Sequence, residues 1–214
     1  MFLADDLSKY LLHRWMHRWP ILWSLHKVHH SAETLNPMTI YRNHPLEGVI
    51  ALLRTTVVQG TVISLFYYLF DDSVSLFTIL GTNVLIFAFH VSGSNLRHSH
   101  IDIRYPRWIE HILISPCQHQ LHHSIAEEHY DKNFGSALAI WDWMFGSLHV
   151  SEKEQDLKFG LLPSEGFKGN TLWEMYVTPV RETGQITFRG GTRVKNRLVN
   201  LFSRPRSSER GKND

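Results

Sequence analysis

Fifteen histidines stand in a chain of 214 residues, and most fall at spacings that suit a metal ion. His13 and His17, in HRWMH, are four residues apart, so a helix places both rings on one face. His26, His29 and His30, in HKVHH, are spaced i, i+3 and i+4, and His119, His122 and His123, in HQLHH, repeat that pattern. Between them, HVSGSNLRHSH adds His90 and His98 two helical turns apart, and His100. Buried imidazoles need hydrogen-bond partners and repel one another when protonated, so such a set predicts a cation that organises it. A catalytic zinc is satisfied by three protein ligands and a structural one by four, so eight to ten histidines predict two ions. An all-imidazole set suits iron, zinc, copper or nickel. The ExxH motif of carboxylate-bridged helical di-iron proteins is absent, as is the HExxH of metalloproteases. One cysteine, Cys117, excludes a disulfide framework, a Cys-based zinc ribbon and an iron–sulfur cluster.

The elements that must carry these rings read as helices. Asp6 to Trp19 lacks Pro and Gly and stops at Pro20, and Ile21 to Ala32 continues as a second helix. Leu46–Phe70 and Val74–Val91 are apolar runs separated by Asp71-Asp72-Ser73, each approaching the roughly 20 residues that cross a bilayer. Together they predict a membrane hairpin over about residues 46–91, although Arg54, Gly60 and Asn83 would also suit a buried hairpin of a soluble bundle. Arg14, Arg18, Lys27 and Arg42 before the hairpin, and Arg97, Arg104 and Arg107 after it, put both ends on the cytoplasmic face. A hairpin returns the chain to its starting side, where histidines from before and after it can meet. Beyond it, Trp108–Ser115 and Gln118–Glu128 are predicted as short helices, with a strand pair near Gln185–Arg189 and Thr192–Val194. The fold class expected is all-α, a membrane helical hairpin with a cytoplasmic helical cap that holds a histidine-rich dimetal site.

Composition narrows the rest. Hydrophobic residues are 43% and charged residues 20%, which excludes global disorder, and a net charge of +2 gives no argument for nucleic acid. A mean hydropathy of −0.20 requires a large polar part beside the hairpin. Nothing repeats at a solenoid or propeller period. Asp5 and Asp6 occupy the place of a signal peptide's basic region. Residues 1–150 form one expected domain, and 151–214 a polar extension whose basic end, Arg189–Asp214, reads as a disordered, solubilising tail.

These motifs resemble the fatty acid hydroxylase / sterol desaturase superfamily of membrane di-iron oxygenases. DLSKYLLHRWMHRWPILWSLHKVHHSAETLNP (6–37) and RNHPLE (42–47) are similar to that family's first block, and residues 95–148, closing on NFG…IWDWMFG, to its second. FGLLP (159–163) also fits. The resemblance implies an integral membrane enzyme with two iron ions on the cytoplasmic face. It also implies O2 as co-substrate and removal of hydrogen from an unactivated C–H bond of a sterol-like, fatty acyl or other long-chain lipid. Return of oxygen gives hydroxylation, and loss of a second hydrogen gives desaturation. The ligands it implies are His13, His17, His26, His29, His30, His98, His119, His122 and His123, with His90 as the tenth. Family members generally carry further membrane helices ahead of the first block, so this chain reads as a shortened member or one with a misplaced start.

A metal-bound imidazole usually donates its other N–H to a carboxylate or carbonyl. Asp6, two turns before His13, and Asp142 are the expected carboxylates, whereas Asp131, also near the second block, reads as a solvated surface acid or helix cap. His44, in RNHP, and His129 are assigned to the same outer layer, and His100, His111 and His149 to the surface or that layer. No GxGxxG, P-loop or haem signature is present, so electrons must come from a separate donor such as a ferredoxin or a cytochrome b5-like protein with its reductase. Two alternatives stay open on the residues alone. One is a zinc-dependent membrane hydrolase, the other a non-enzymatic membrane metal-binding protein.

Overall fold

A computed structural model describes residues 1–70, 95–151 and 156–202. The first helix, α1 (Phe2–Arg18), and the second, α2 (Pro20–His30), are separated by Trp19 alone. Trp19 is extended, as a residue before proline prefers, and Pro20 occupies the first position of α2, where its missing N–H costs nothing. From Ser24 to His30 every residue of α2 is buried. Helix α3 (Pro45–Phe70) follows, then a single turn, α4 (Asn95–Arg97), and α5 (Pro116–His122). The last two helices are the short α6 (Ile140–Met144) and the long α7 (Leu172–Phe202). Helix α2 packs against α1 and α7, α1 also against α3, and α4 against α5. Among the described residues there is no β-sheet, only two isolated bridges, Leu113 with Leu138 and Ser124 with Phe159.

Helix α3 has 26 residues, about 39 Å at 1.5 Å per residue, against roughly 30 Å of hydrocarbon. It is long and apolar enough to cross a membrane, and none of its residues is buried. Arg54, one of the residues that spoke against a span, is answered by the protein itself. Its guanidinium donates to Asp5 Oδ1 at 2.9 Å, to the Asp5 carbonyl and to Ser8 Oγ, which ties α3 to α1. The expected second half of the hairpin, Val74–Val91, lies outside the described residues, and so does His90.

Three local expectations are corrected. Trp108–Ser115 is a run of turns rather than a helix, pinned by bonds from Ile114 N to Ala137 O and from Ala139 N to Ile112 O. Pro116 starts α5 instead of ending a helix before it. Ser115 caps α5 through a reciprocal pair, its Oγ accepting from Gln118 N and its N donating to Gln118 Oε1, and the helix stops at His122, short of Glu128. The strand pair does not exist, because α7 runs through Gln185–Val194 and carries the start of the basic tail, Arg189–Phe202, in helical form. What holds α7 is its inner side. Glu182 takes the buried Lys27 ammonium at 2.6 Å, and Thr183 Oγ1 stands 2.7 Å from Ser24 Oγ.

Opposite α1, residues 131–139 fold into a tight loop. Asn133 sits at φ 54°, a left-handed conformation that asparagine tolerates, and its amide bridges the Gln118 and His149 carbonyls. Gly135 is hemmed in, since a Cβ there would lie 2.7 Å from Leu138 O and 2.8 Å from Asp142 Oδ2. Gly135→Ala is therefore expected to destabilise the protein by about 1–3 kcal/mol. A thermal melt within error of the parent would show that this loop yields.

Candidate metal centre

All nine imidazoles expected as ligands within the described residues converge. They form two groups, His13, His17, His26, His30 and His122 in one, and His29, His98, His119 and His123 in the other. Within each group the facing nitrogens lie within 4.8 Å of one another. The groups share a wall, where the His30 and His123 rings stack with centroids 4.3 Å apart. Each HxxHH motif divides the same way. In α2 the i, i+4 pair His26 and His30 enters the first group while His29 turns to the second. In α5 and its cap, His119 and His123 enter the second while His122 turns to the first. Both ions would thus be held by residues from both sides of α3.

Three rings of the first group have settled tautomers. His13 Nδ1 lies 2.9 Å from Phe134 O, His122 Nδ1 2.7 Å from Lys132 O, and His26 Nδ1 2.9 Å from Glu47 Oε1. Carbonyls and carboxylates only accept, so Nδ1 carries the proton and Nε2 the lone pair. In the second group Nε2 atoms face Nε2 atoms, His29 to His98 at 3.1 Å, His98 to His119 at 3.0 Å and His119 to His123 at 3.3 Å. Ligands about 2.1 Å from one ion, at octahedral or tetrahedral angles, stand about 3.0–3.4 Å apart, which is the spacing found. Eight of the nine rings keep one nitrogen buried with no hydrogen-bond partner among the described residues. In the first group the orphans are Nε2 of His17, His26, His30 and His122, and at about 1–3 kcal/mol each they cost about 4–12 kcal/mol, comparable with the whole net stability of an ordinary domain, about 5–15 kcal/mol. A cation at the first focus would take those four atoms, and one at the second would take the clustered Nε2 atoms of His29, His98, His119 and His123, so these residues fit a pair of metal ions.

The electrostatics agree. Burial first, and then neighbouring imidazoles, hold His13, His17, His29, His30, His119 and His123 well below the usual histidine range. Burial brings His122 down to about 3 and His98 to about 2. The rings stay neutral at physiological pH, the form that ligates. The sign of the acid response follows. Between these depressed values and 6.5 the unfolded chain binds more protons than the folded one, so stability falls as pH falls. Each ring contributes about 1.4 kcal/mol per pH unit. The metal-free protein is expected to lose melting temperature steeply from pH 7 to pH 5.5, and the metal-loaded protein much less. Melts at stepped pH with and without metal measure this, and a flat metal-free profile would contradict it.

The outer residues are only partly those expected. Asp6 faces away from the histidines, its carboxylate accepting from Ala137 N, Leu138 N and Trp141 Nε1. Asp142 accepts from Phe134 N, Gly135 N and Ser147 Oγ, so it acts on His13 through the Phe134 carbonyl, and its burial pushes its carboxyl up to about 6. His44 is engaged elsewhere, with Tyr176 O and Leu46 N. His129 is buried against the His149 ring, outside both groups. Asp131 lies exposed at φ 57°. Glu47, the carboxylate on His26, was missed; its signal was its place in RNHPLE, an acid opening an apolar helix.

Residues 1–147 match the sequence profile described as Fatty acid hydroxylase. The chain belongs to the fatty acid hydroxylase family. All nine converging histidines lie inside the family match. Relatives include an alkylglycerol monooxygenase of Danio rerio, 32% identical over 149 residues, covering 68% of this chain and 29% of that protein. A Delta(7)-sterol 5(6)-desaturase of Eremothecium gossypii is 25% identical over 181 residues, covering 84% and 43%. An ornithine lipid hydroxylase of Rhizobium tropici is 24% identical over 156 residues, covering 73% and 43%. The chain spans less than half the length of each of these relatives. No solved structure matches it.

Proposed function

We propose that this protein is a membrane-bound non-haem di-iron oxygenase that hydroxylates or desaturates a lipid C–H bond, using O2 and electrons from a separate donor. The observation that carries the reading is the pair of adjacent, wholly imidazole foci, with four unsatisfied Nε2 atoms in the first and Nε2 atoms clustered at ligand spacing in the second. Family membership and relatives named for lipid oxidation favour iron over the other metals that imidazole suits.

In this reading His13, His17, His26, His30 and His122 hold one ion and His29, His98, His119 and His123 the other. The bound iron pair supplies the redox chemistry that activates O2 and oxidises the C–H bond. The chain's own part is to hold nine rings in fixed orientation, eight of them kept neutral by burial. The Phe134 and Lys132 carbonyls and the Glu47 carboxylate keep protons on Nδ1 of His13, His122 and His26, so that Nε2 stays free. Helix α3 spans the bilayer and sets His26 beside it through Glu47, placing the centre at the membrane boundary, on the cytoplasmic face by the charge pattern. The lipid is a sterol-like, fatty acyl or other long-chain molecule, and the donor a ferredoxin or a cytochrome b5-like protein with its reductase.

Purified in detergent, the protein should contain about two irons per chain and consume O2 with a chemical reductant, faster when the lipid is present. Two zincs with no O2 uptake, persisting after iron reconstitution, would reject the oxygenase and favour a zinc-dependent hydrolase.

A further inference from the structure

A cavity of about 260 Å³ opens onto the histidines. Its floor includes His17, His30 and His122 of the first group and His123 of the second. His30 and His122, each 5% exposed, leave a buried Nε2 without a partner among the described residues. The walls are Trp23, Tyr130 and Leu161, and the carboxylates of Asp131 and Glu165 stand in the lining. None of the lining residues comes from α3. Gly160 to Glu165, which close one side, lie beyond the family match.

From this arrangement we infer that the cavity is the port through which hydrated divalent metal ions reach the two foci, with Asp131 and Glu165 as the capturing carboxylates. The inference rests on the metal-centre reading and adds a route to it. Six waters at about 30 Å³ each occupy about 180 Å³, so a hexahydrated ion fits the volume. A cleft carrying one sign of charge concentrates ions of the other sign and raises their rate of arrival. The cation that pairs with Glu165 among the described residues is buried Lys27, at 4.0 Å, but its closer partner is Glu182 at 2.6 Å, which leaves Glu165 largely available. Glu165 Oε2 also accepts from Trp23 Nε1 at 3.4 Å. Water is exchanged for imidazole at the floor, where the lone pairs of His30 and His122 meet the incoming ion. No covalent step is involved. A lipid would approach instead along α3, from the side of Glu47.

The test follows Co²⁺ uptake and release in chelator-stripped protein in detergent by visible absorbance. Leu161→Trp should plug the cavity, and Asp131→Asn with Glu165→Gln should remove the charge while keeping the acceptor for Trp23. Both should slow uptake about tenfold at low ionic strength, with the final stoichiometry unchanged. The plug should slow release by the same factor, since it raises a barrier without altering affinity. The charge effect should vanish near 1 M salt, where the Debye length is about 3 Å. Glu128→Gln, which lies outside this cavity, should leave both rates at the parent value. Parent rates in the plugged and charge-free variants, at full stoichiometry, would overturn the port while leaving the metal centre standing. Failure of the parent protein to bind Co²⁺ at all would defeat the centre, and the port with it.

Discussion

Replacing His122 with Ala is expected to remove about one metal ion per chain and to abolish activity, whereas His123→Ala, one residue further on, should remove the other ion. The two positions are neighbours in sequence but belong to different foci. His122 is the first group's contribution from α5, its Nε2 buried and its Nδ1 held by Lys132 O at 2.7 Å. His123 belongs with His29, His98 and His119. Loss of an outer partner typically costs 10–100-fold in affinity or activity, so loss of a ligand should exceed about 100-fold in activity. Metal analysis of the two variants should each give about one ion, with differing rates of release to a chelator. His149→Ala is the control, because its ring packs against the His129 ring and lies outside both groups. Full activity in either ligand variant, or two ions retained, would refute the assignment.

Glu47→Gln should weaken metal binding by about 10–100-fold while leaving two sites countable at saturating metal. The Glu47 carboxylate accepts from His26 Nδ1 at 2.9 Å, which raises the basicity of Nε2 and fixes the ring plane. A glutamine keeps an acceptor in place but removes the charge, so orientation is largely preserved and basicity falls. Competition against a chelator of known affinity measures the change. Glu47→Asp, which keeps the charge but shortens the reach, separates the two effects. Affinity unchanged in the glutamine variant would show that the ring is held by packing alone.

The converging histidines were legible in the sequence because helical spacing is local. HxxxH and HxxHH put rings on one helix face, and no knowledge of partners was needed to see that His26, His29 and His30 act together. How the rings divide between two groups was not legible, since that depends on how α2 and α5 face one another across a shared wall. Asp6 shows the same limit. Its two-turn offset from His13 put it on the right face, yet its acceptor sites are filled by Ala137 N, Leu138 N and Trp141 Nε1, groups far along the chain. The role of Glu47 was not legible, because what gives it meaning is His26, on another helix. Arg54 counted against a membrane span for a similar reason, its partner Asp5 being on α1. The strand pair expected near Gln185–Val194 missed α7, because what gives that helix a side to pack on is Lys27 and Ser24 of α2.

The exchange of one histidine between the two motifs has a consequence for the making of the protein. Residues before α3 supply His13, His17, His26 and His30 to the first group but only His29 to the second, and the complements come after it. A nascent chain therefore holds no finished site until His119–His123 have left the ribosome, by which time α3 has already emerged. On the proposed reading, a bound metal pair would certify that both histidine blocks have been made and brought together, and a chain without metal would lack that source of stability.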